Sequence, residues 1–176
     1  ITGDAMARPL VETLAEQPDR WDLSSLFVVS SSAVVFSPSL KEQMLDLLPD
    51  IIIVDAIGSS ESGMNGMVVQ TKGETATHGG GWPTVKAGRD AAVLDDDLNP
   101  MEPGTGVIGK LARGGNIPVG YYKDPVKTAA TFVTAADGNR YAVAGDFARL
   151  EADGTITLLG RGSVCINSGG EKIFPE

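Results

Sequence analysis

Three short segments of this 176-residue chain carry residue types suited to chemistry. The first is Gly58-Ser-Ser-Glu61. Two hydroxyls and several backbone N–H groups in a tight turn can hold phosphate oxygens. Glu61 adds a hard oxygen ligand suited to Mg2+, which commonly takes one or two carboxylates beside phosphate oxygens. An ordinary polar loop after a strand has the same composition, so the segment does not decide alone. The second is Ala144-Gly-Asp146 and the third is Gly160-Arg161. An Asp at a strand edge can accept two hydrogen bonds from a ribose diol, and the Arg fork can bind phosphate or ribose. A turn Asp and a surface Arg would read the same way.

The remaining candidates are weaker. His78, the one histidine, lies in Thr77-His-Gly-Gly-Gly81, where a glycine-flanked loop explains it and no triad is available. Cys165, the one cysteine, excludes an internal disulfide framework and a multi-cysteine zinc site, and its strand-like neighbours suggest an inert buried thiol. Asp95-Asp-Asp97 precedes Pro100 and reads as a solvated turn. The net charge of −9 argues against nonspecific binding to nucleic acid or to an anionic membrane. No apolar run reaches the roughly 18 residues of a membrane span. With no signal-peptide pattern, the expected location is the cytoplasm. Glycine is abundant at 22 residues and follows no fixed period, which excludes collagen and solenoid folds.

The elements that must position these residues fall into two textures. In residues 1–82, Asp4 is expected to cap a helix through Ala5–Gln17 with Met6, Leu10, Val11 and Leu14 on one face. Leu26–Val29 reads as a strand. Ser37 and Pro38 start a second helix bearing Leu40, Met44, Leu47 and Leu48. Ile51–Val54 reads as a parallel strand buried on both faces, completing a βαβ unit that feeds directly into the Glu61 turn. After Trp82 helical periodicity fades. Short β-like runs appear at Ala91–Leu94, Val107–Ala112, Arg140–Val143, Phe147–Leu150 and Thr155–Leu159, with one helix at Pro125–Phe132 and a hairpin signal at Asp153-Gly154. The fold class expected is α/β plus β. Residues 1–82 form part of a parallel-sheet subdomain, 83–162 a small distorted antiparallel β-barrel, and 163–176 a hinge or loop entering a further domain.

Taken in order, these motifs resemble the adenylate-forming superfamily of acyl-CoA synthetases, peptide-synthetase adenylation domains and luciferases. Ser30-Ser-Ser-Ala33 resembles the Ser-Gly-Gly-Ala segment that lies along adenine. Ile57-Gly-Ser-Ser-Glu61 resembles Tyr-Gly-x-Thr-Glu. Gly109-Lys-Leu-Ala-Arg-Gly114, Gly120-Tyr-Tyr-Lys-Asp-Pro125 and Thr128 resemble Gly-Glu-Leu…Gly…Gly-Tyr…Pro-Glu-x-Thr. Tyr141-Ala-Val-Ala-Gly-Asp146 resembles the Thr-Gly-Asp signature, and Asp153-Gly154 with Gly160-Arg161 continue it. Ser168-Gly-Gly-Glu-Lys-Ile-Phe-Pro-Glu176 is most similar to fatty-acyl-CoA synthetases.

The resemblance implies an AMP-forming acid–thiol ligase that uses ATP, Mg2+ and coenzyme A. A carboxylate attacks ATP to give an acyl-adenylate, and the coenzyme A thiol then attacks the adenylate. It implies that Glu61 binds Mg2+ and Ser60 the phosphate, with Ser59 in the same turn. Ser32, Ala33, Ile57 and Gly58 would line the adenine site. Asp146 would hold the ribose hydroxyls and Arg161 the ribose or phosphate. Ser163 would lie near the hinge, with Gly169 and Gly170 near the pantetheine path. The chain departs from the pattern at Ile57 (for an aromatic), Ser60 (for Thr), Ala144 (for Thr), Ser31 and Ser32 (for Gly) and Ser163. All retain the carboxylates and the arginine. Apolar Val34, Val35, Ile57, Met64 and Met67 suggest a fatty or other apolar carboxylic acid. The family's upstream phosphate loop and C-terminal lysine have no counterpart here, so the expectation is an incomplete internal piece of a longer synthetase, inactive alone. The alternative is a non-catalytic nucleotide- or partner-binding module on the same fold.

Overall fold

A computed structural model of the chain describes residues 1–18, 20–32, 34–74 and 83–162, and the backbone of 166–168 and 171–173. Ala33, His78, Trp82, Ser163, Cys165, Gly169 and Gly170 lie outside the described residues.

The N-terminal part is the expected βαβ unit with a preceding helix: α1 (Gly3–Glu16), β1 (Val28–Ser32), α2 (Pro38–Leu47) and β2 (Ile52–Ser59). β1 and β2 are parallel, in register from Val28↔Ile52 to Ser32↔Ala56. α1 buries a narrower stripe than its sequence suggests. Ala7 and Val11 are buried, whereas Met6 and Leu10 are each 48% exposed. The stripe follows the i, i+4 ridge, and Met6 and Leu10 lie about 100° around the helix from it. Asp4 is not the cap but sits in the first turn. Its N–H donates to the Val35 carbonyl at 3.1 Å, and its carboxylate accepts the Ser37 N–H at 2.7 Å. Ser37 holds the N-cap position of α2 without a side-chain capping bond, and Pro38 opens the helix.

On α2, Leu40 and Met44 are buried as expected, and Lys41 is buried with them at 1% exposure. Its ammonium pairs with Asp55 on β2 and lies 5.5 Å from the Phe36 ring. A buried ammonium requires such a partner, because desolvation costs several kcal/mol when uncompensated.

β2 runs five residues beyond the expected Val54, to Ser59. It is not buried on both faces: Ile53 and Ile57 are buried, but Ile52 is 36% exposed. A turn at 60–62 leads into β3 (Gly63–Gln70), antiparallel to β2. This strand has no counterpart in the sequence expectations. Gly63, Asn65 and Gly66 interrupt its apolar alternation, and its stability comes from pairing with β2 and β4 (Thr84–Ala87).

The rest is β5 (Ala91–Leu94), β6 (Ile108–Arg113), α3 (Pro125–Thr131), β7 (Phe132–Thr134), β8 (Arg140–Ala142), β9 (Asp146–Leu150) and β10 (Thr155–Arg161). β9 and β10 form the hairpin signalled by Asp153-Gly154, with Gly154 at φ +79° and the Asp153 carboxylate accepting the Thr155 N–H at 2.9 Å. The expected barrel is replaced by an open arrangement. The strands form one ten-stranded mixed sheet in the order β1-β2-β3-β4-β10-β9-β6-β8-β7, with β5 on β6. Closure would need the β5 or β7 end to return to β4, and β4 is already paired on both sides, with β3 and β10. The tail, expected as a hinge or loop, contains a two-stranded antiparallel pair, β11 (Ile166–Ser168) and β12 (Glu171–Ile173).

Among the described residues the sheet carries three hydrophobic cores, and β2 contributes to two of them. Ile53 packs with Ala7, Leu40 and Met44, and Ile57 packs with Val85, Leu111 and Ile156. β2 therefore passes from one core to the other, with Asp55 between. Among the described residues no helix is long and apolar enough to cross a membrane.

Candidate functional site

The turn after β2 is built from hydroxyls. The Ser62 N–H donates to Ser59 Oγ at 3.1 Å, the two serine hydroxyls lie 3.0 Å apart, and Asn65 Nδ2 donates to Ser62 Oγ at 3.1 Å. Ser62 and Asn65 are buried at 4% and 3% exposure, so this chain anchors the turn from below. Ser60 is exposed and Glu61 half-buried above it. Gly58 is required here by close approach: a Cβ on it would lie 2.2 Å from the Gly63 carbonyl oxygen across the hairpin.

Glu61 accepts a hydrogen bond from the Tyr121 hydroxyl at 2.5 Å. This bond is the main cause that holds the Glu61 carboxyl below its usual range, with smaller help from Ser59 and the Lys127 ammonium. Asp146 opens β9 and faces Arg161, its register partner at the end of β10. Arg161 Nε donates to Asp146 Oδ1 at 3.2 Å. The Asp146 side chain is 17% exposed and that of Arg161 62%. Burial pushes the Asp146 carboxyl up, against the opposing pull of Arg161, and the negative charge of Glu61 adds to the rise.

Ser32 is exposed at the end of β1, beside Ala56 of β2. It therefore stands next to the segment that leads into the turn. Ile57 is turned the other way, 8% exposed in the second core. Its side chain serves packing more than an open ligand face. Ala33 lies outside the described residues. Tyr121 is the functional residue that sequence reasoning left without a role. Its signal was the Gly120-Tyr121…Pro125…Thr128 spacing, which carried no indication of what the phenol would reach.

Among the described residues no three His, Cys, Asp or Glu side chains gather as a metal cage. The donor set at the turn is one carboxylate with neighbouring hydroxyls, all hard oxygen. It fits Mg2+ held mainly by phosphate oxygens and water, and does not fit a soft metal. An open cavity of about 480 Å3 lined by Arg89, Asp90, Asn139 and Arg140 contains none of these residues.

The fold has counterparts in solved structures. The AMPPNP-bound form of the nonribosomal peptide synthetase FmoA3 matches with TM-score 0.74 and 27% identity, over 93% of this chain and 18% of that one. Along its whole length the stretch is homologous to CoA ligases, and its structural neighbours are adenylate-forming enzymes. A 3-oxocholest-4-en-26-oate–CoA ligase of Rhodococcus rhodochrous is 58% identical across all of this chain, which covers 32% of that protein. A medium/long-chain-fatty-acid–CoA/3-oxocholest-4-en-26-oate–CoA ligase of Mycobacterium tuberculosis strain H37Rv is also 58% identical across the whole chain, covering 31% of its length. The chain thus spans about a third of the curated relatives it matches. No family model matches it.

Proposed function

We propose that this chain supplies the nucleotide-binding part of an ATP-dependent, AMP-forming acyl-CoA ligase acting in the cytoplasm on a large apolar carboxylic acid. The observation that supports the reading is the Glu61 carboxylate on the turn after β2, held by the Tyr121 hydroxyl at 2.5 Å from the antiparallel part of the same sheet. The names of the relatives point to a fatty acid or a steroid side-chain acid such as 3-oxocholest-4-en-26-oate as the acyl donor. Residues 1–82, 83–162 and 163–176 are read as part of the large domain's α/β unit, its β unit, and the passage to a small C-terminal domain.

In this reading Ser60 and the turn amides bind phosphate oxygens. Glu61, kept ionised by Tyr121, offers its carboxylate to Mg2+, which when bound neutralises charge on the phosphates. Asp146 accepts from the ribose hydroxyls, and Arg161, anchored on Asp146, turns its remaining donors to ribose or phosphate. Ser32 with Gly58 lines the adenine, Ala33 joins them on the strength of the motif alone, and Val34 and Val35 are exposed. The substrate carboxylate attacks the α-phosphorus of ATP and pyrophosphate leaves. The thiol of coenzyme A then displaces AMP from the acyl-adenylate. The protein's contribution is positioning and charge stabilisation.

ATP–pyrophosphate exchange in a full-length ligase carrying these residues, with a panel of short, medium, long and steroid carboxylates, tests the reading. Exchange is expected with the apolar acids and with ATP only. ATP binding without exchange for any acid would leave a nucleotide-binding module in its place. The 176-residue chain alone is expected to bind ATP weakly and to release no pyrophosphate.

A further inference from the structure

The Gly120-Tyr-Tyr-Lys-Asp-Pro125…Thr128 segment has no role in the chemistry above, yet it ends on the proposed metal ligand. Gly120, Asp124, Pro125 and Thr128 together restrain Tyr121. Asp124 caps α3 by accepting the Lys127 N–H at 2.9 Å, and Pro125 occupies the first turn. Thr128, one turn into α3, accepts the Tyr121 N–H on its hydroxyl at 2.8 Å and donates to the Asp124 carbonyl at 2.7 Å. Gly120 lets the two come together: a Cβ there would lie 2.4 Å from Thr128 Cγ2. The Tyr121 ring is then held between elements. Lys127 Nζ sits 4.0 Å from its centroid, and the buried Phe132 ring packs against it at 5.8 Å and 56°. With backbone and ring both fixed, the phenol hydroxyl has one place to go, Glu61 Oε1.

We propose that Tyr121 is a positioning residue for Glu61: its hydroxyl occupies one carboxylate oxygen and so sets how the carboxylate is presented to the nucleotide-bound metal. The inference rests on the reading of Glu61 as a Mg2+ ligand. A side chain with three rotatable bonds on an exposed turn would otherwise lose rotamer freedom at the moment of metal binding. The phenol removes that freedom in advance, through contacts made entirely by the β part of the molecule. The motif from Gly120 to Thr128 is, on this account, the remote half of the metal site.

The test measures Mn2+ binding by electron paramagnetic resonance to a full-length ligase carrying this chain, saturated with a non-hydrolysable ATP analogue. Tyr121→Phe keeps the ring and its packing and removes only the hydroxyl. It is expected to weaken Mn2+ binding about tenfold, the scale of one hydrogen bond to a charged group. In exchange assays the requirement for Mg2+ should rise alike, with KM for ATP at saturating Mg2+ unchanged. In a Glu61→Gln background, Tyr121→Phe should add nothing. Unchanged Mn2+ affinity in Tyr121→Phe, with weakened affinity in Glu61→Gln, would overturn the proposal and leave Glu61 as ligand. Equal weakening by Tyr121→Phe in both backgrounds would also overturn it. Unchanged affinity in Glu61→Gln would remove the reading of Glu61 itself, and the proposal with it. If Tyr121→Phe does not fold, Thr128→Val, which cuts the backbone tether alone, is expected to weaken Mn2+ binding severalfold, and no change there would be decisive against the idea.

Discussion

The two parts of this sheet position their functional residues by different means. In the βαβ part, β2 is fixed by burial: Ile53 and Ile57 anchor it in successive cores, and Lys41 and Asp55 form an ion pair between them. The Glu61 turn projects from the end of that strand and is half-exposed. In the antiparallel part, Asp146 and Arg161 are placed by hairpin register, side by side at the open end of β9–β10. Here the carboxylate is partly enclosed, its side chain 17% exposed. The difference shows in their proton affinities. A phenol donor holds Glu61 down, while burial pushes Asp146 up despite its arginine. Under the proposed function, the readily ionised carboxylate would serve the metal and the more reluctant one the neutral hydroxyl donors.

The sharpest way to break this contrast is Glu61→Ala. Loss of a metal-binding carboxylate should cost several kcal/mol in the transition state, roughly a thousandfold in pyrophosphate exchange. The melting temperature should fall modestly through loss of the Tyr121 hydrogen bond, with the fold retained. Unchanged exchange at saturating Mg2+ would refute the role.

The next largest effect concerns the anchor. Lys41→Met leaves Asp55 unpaired against the core and should destabilise the chain by about 3–5 kcal/mol in urea denaturation. Lys41→Met together with Asp55→Leu should recover most of that loss. If the double variant is as unstable as the single one, the pair is not what fixes β2.

Opposite pH slopes should separate the two carboxylates in the metal-free chain. Glu61 has a lowered folded pKa, so its contribution is present above the unfolded value near ~4.3 and is lost as pH falls through the folded one. Glu61→Gln should therefore lower the melting temperature at pH 7, with the deficit closing in acid. Asp146 has a raised folded pKa, so its favourable contribution is full below about 3.9 and is lost as pH rises through the folded value. Asp146→Asn should gain stability relative to wild type as pH rises from 4 to 7. Slopes of the same sign in thermal melts would show that the environments are not opposed as described.

Arg161→Ala should have the smallest effect on stability. Its side chain is 62% exposed, and exposed ion pairs contribute about 0–1 kcal/mol. Its loss should appear instead as a higher KM for ATP, measured by exchange.

The sequence by itself determined the local elements and the order of the motifs. Helical spacing placed α1 and α2, β-branched residues placed β2, and Asp153-Gly154 placed the β9–β10 hairpin, because each of these signals acts over a few residues. Alternation failed for β3, where Gly63 and Gly66 break the pattern and pairing with β2 and β4 supplies what propensity does not. Helical spacing also put Met6 and Leu10 on the packed face, where the structure leaves them exposed, and gave no signal for the burial of Lys41. Burial depends on which ridge of a helix meets its neighbour, and no local pattern encodes that. Only the tertiary structure decided that the strands stay open as one sheet, that Ile57 turns into a core, and that Tyr121 reaches Glu61 across 60 positions of sequence. Such pairings are fixed by packing between distant segments, where the free energy resides in contacts that the chain makes only once it has folded.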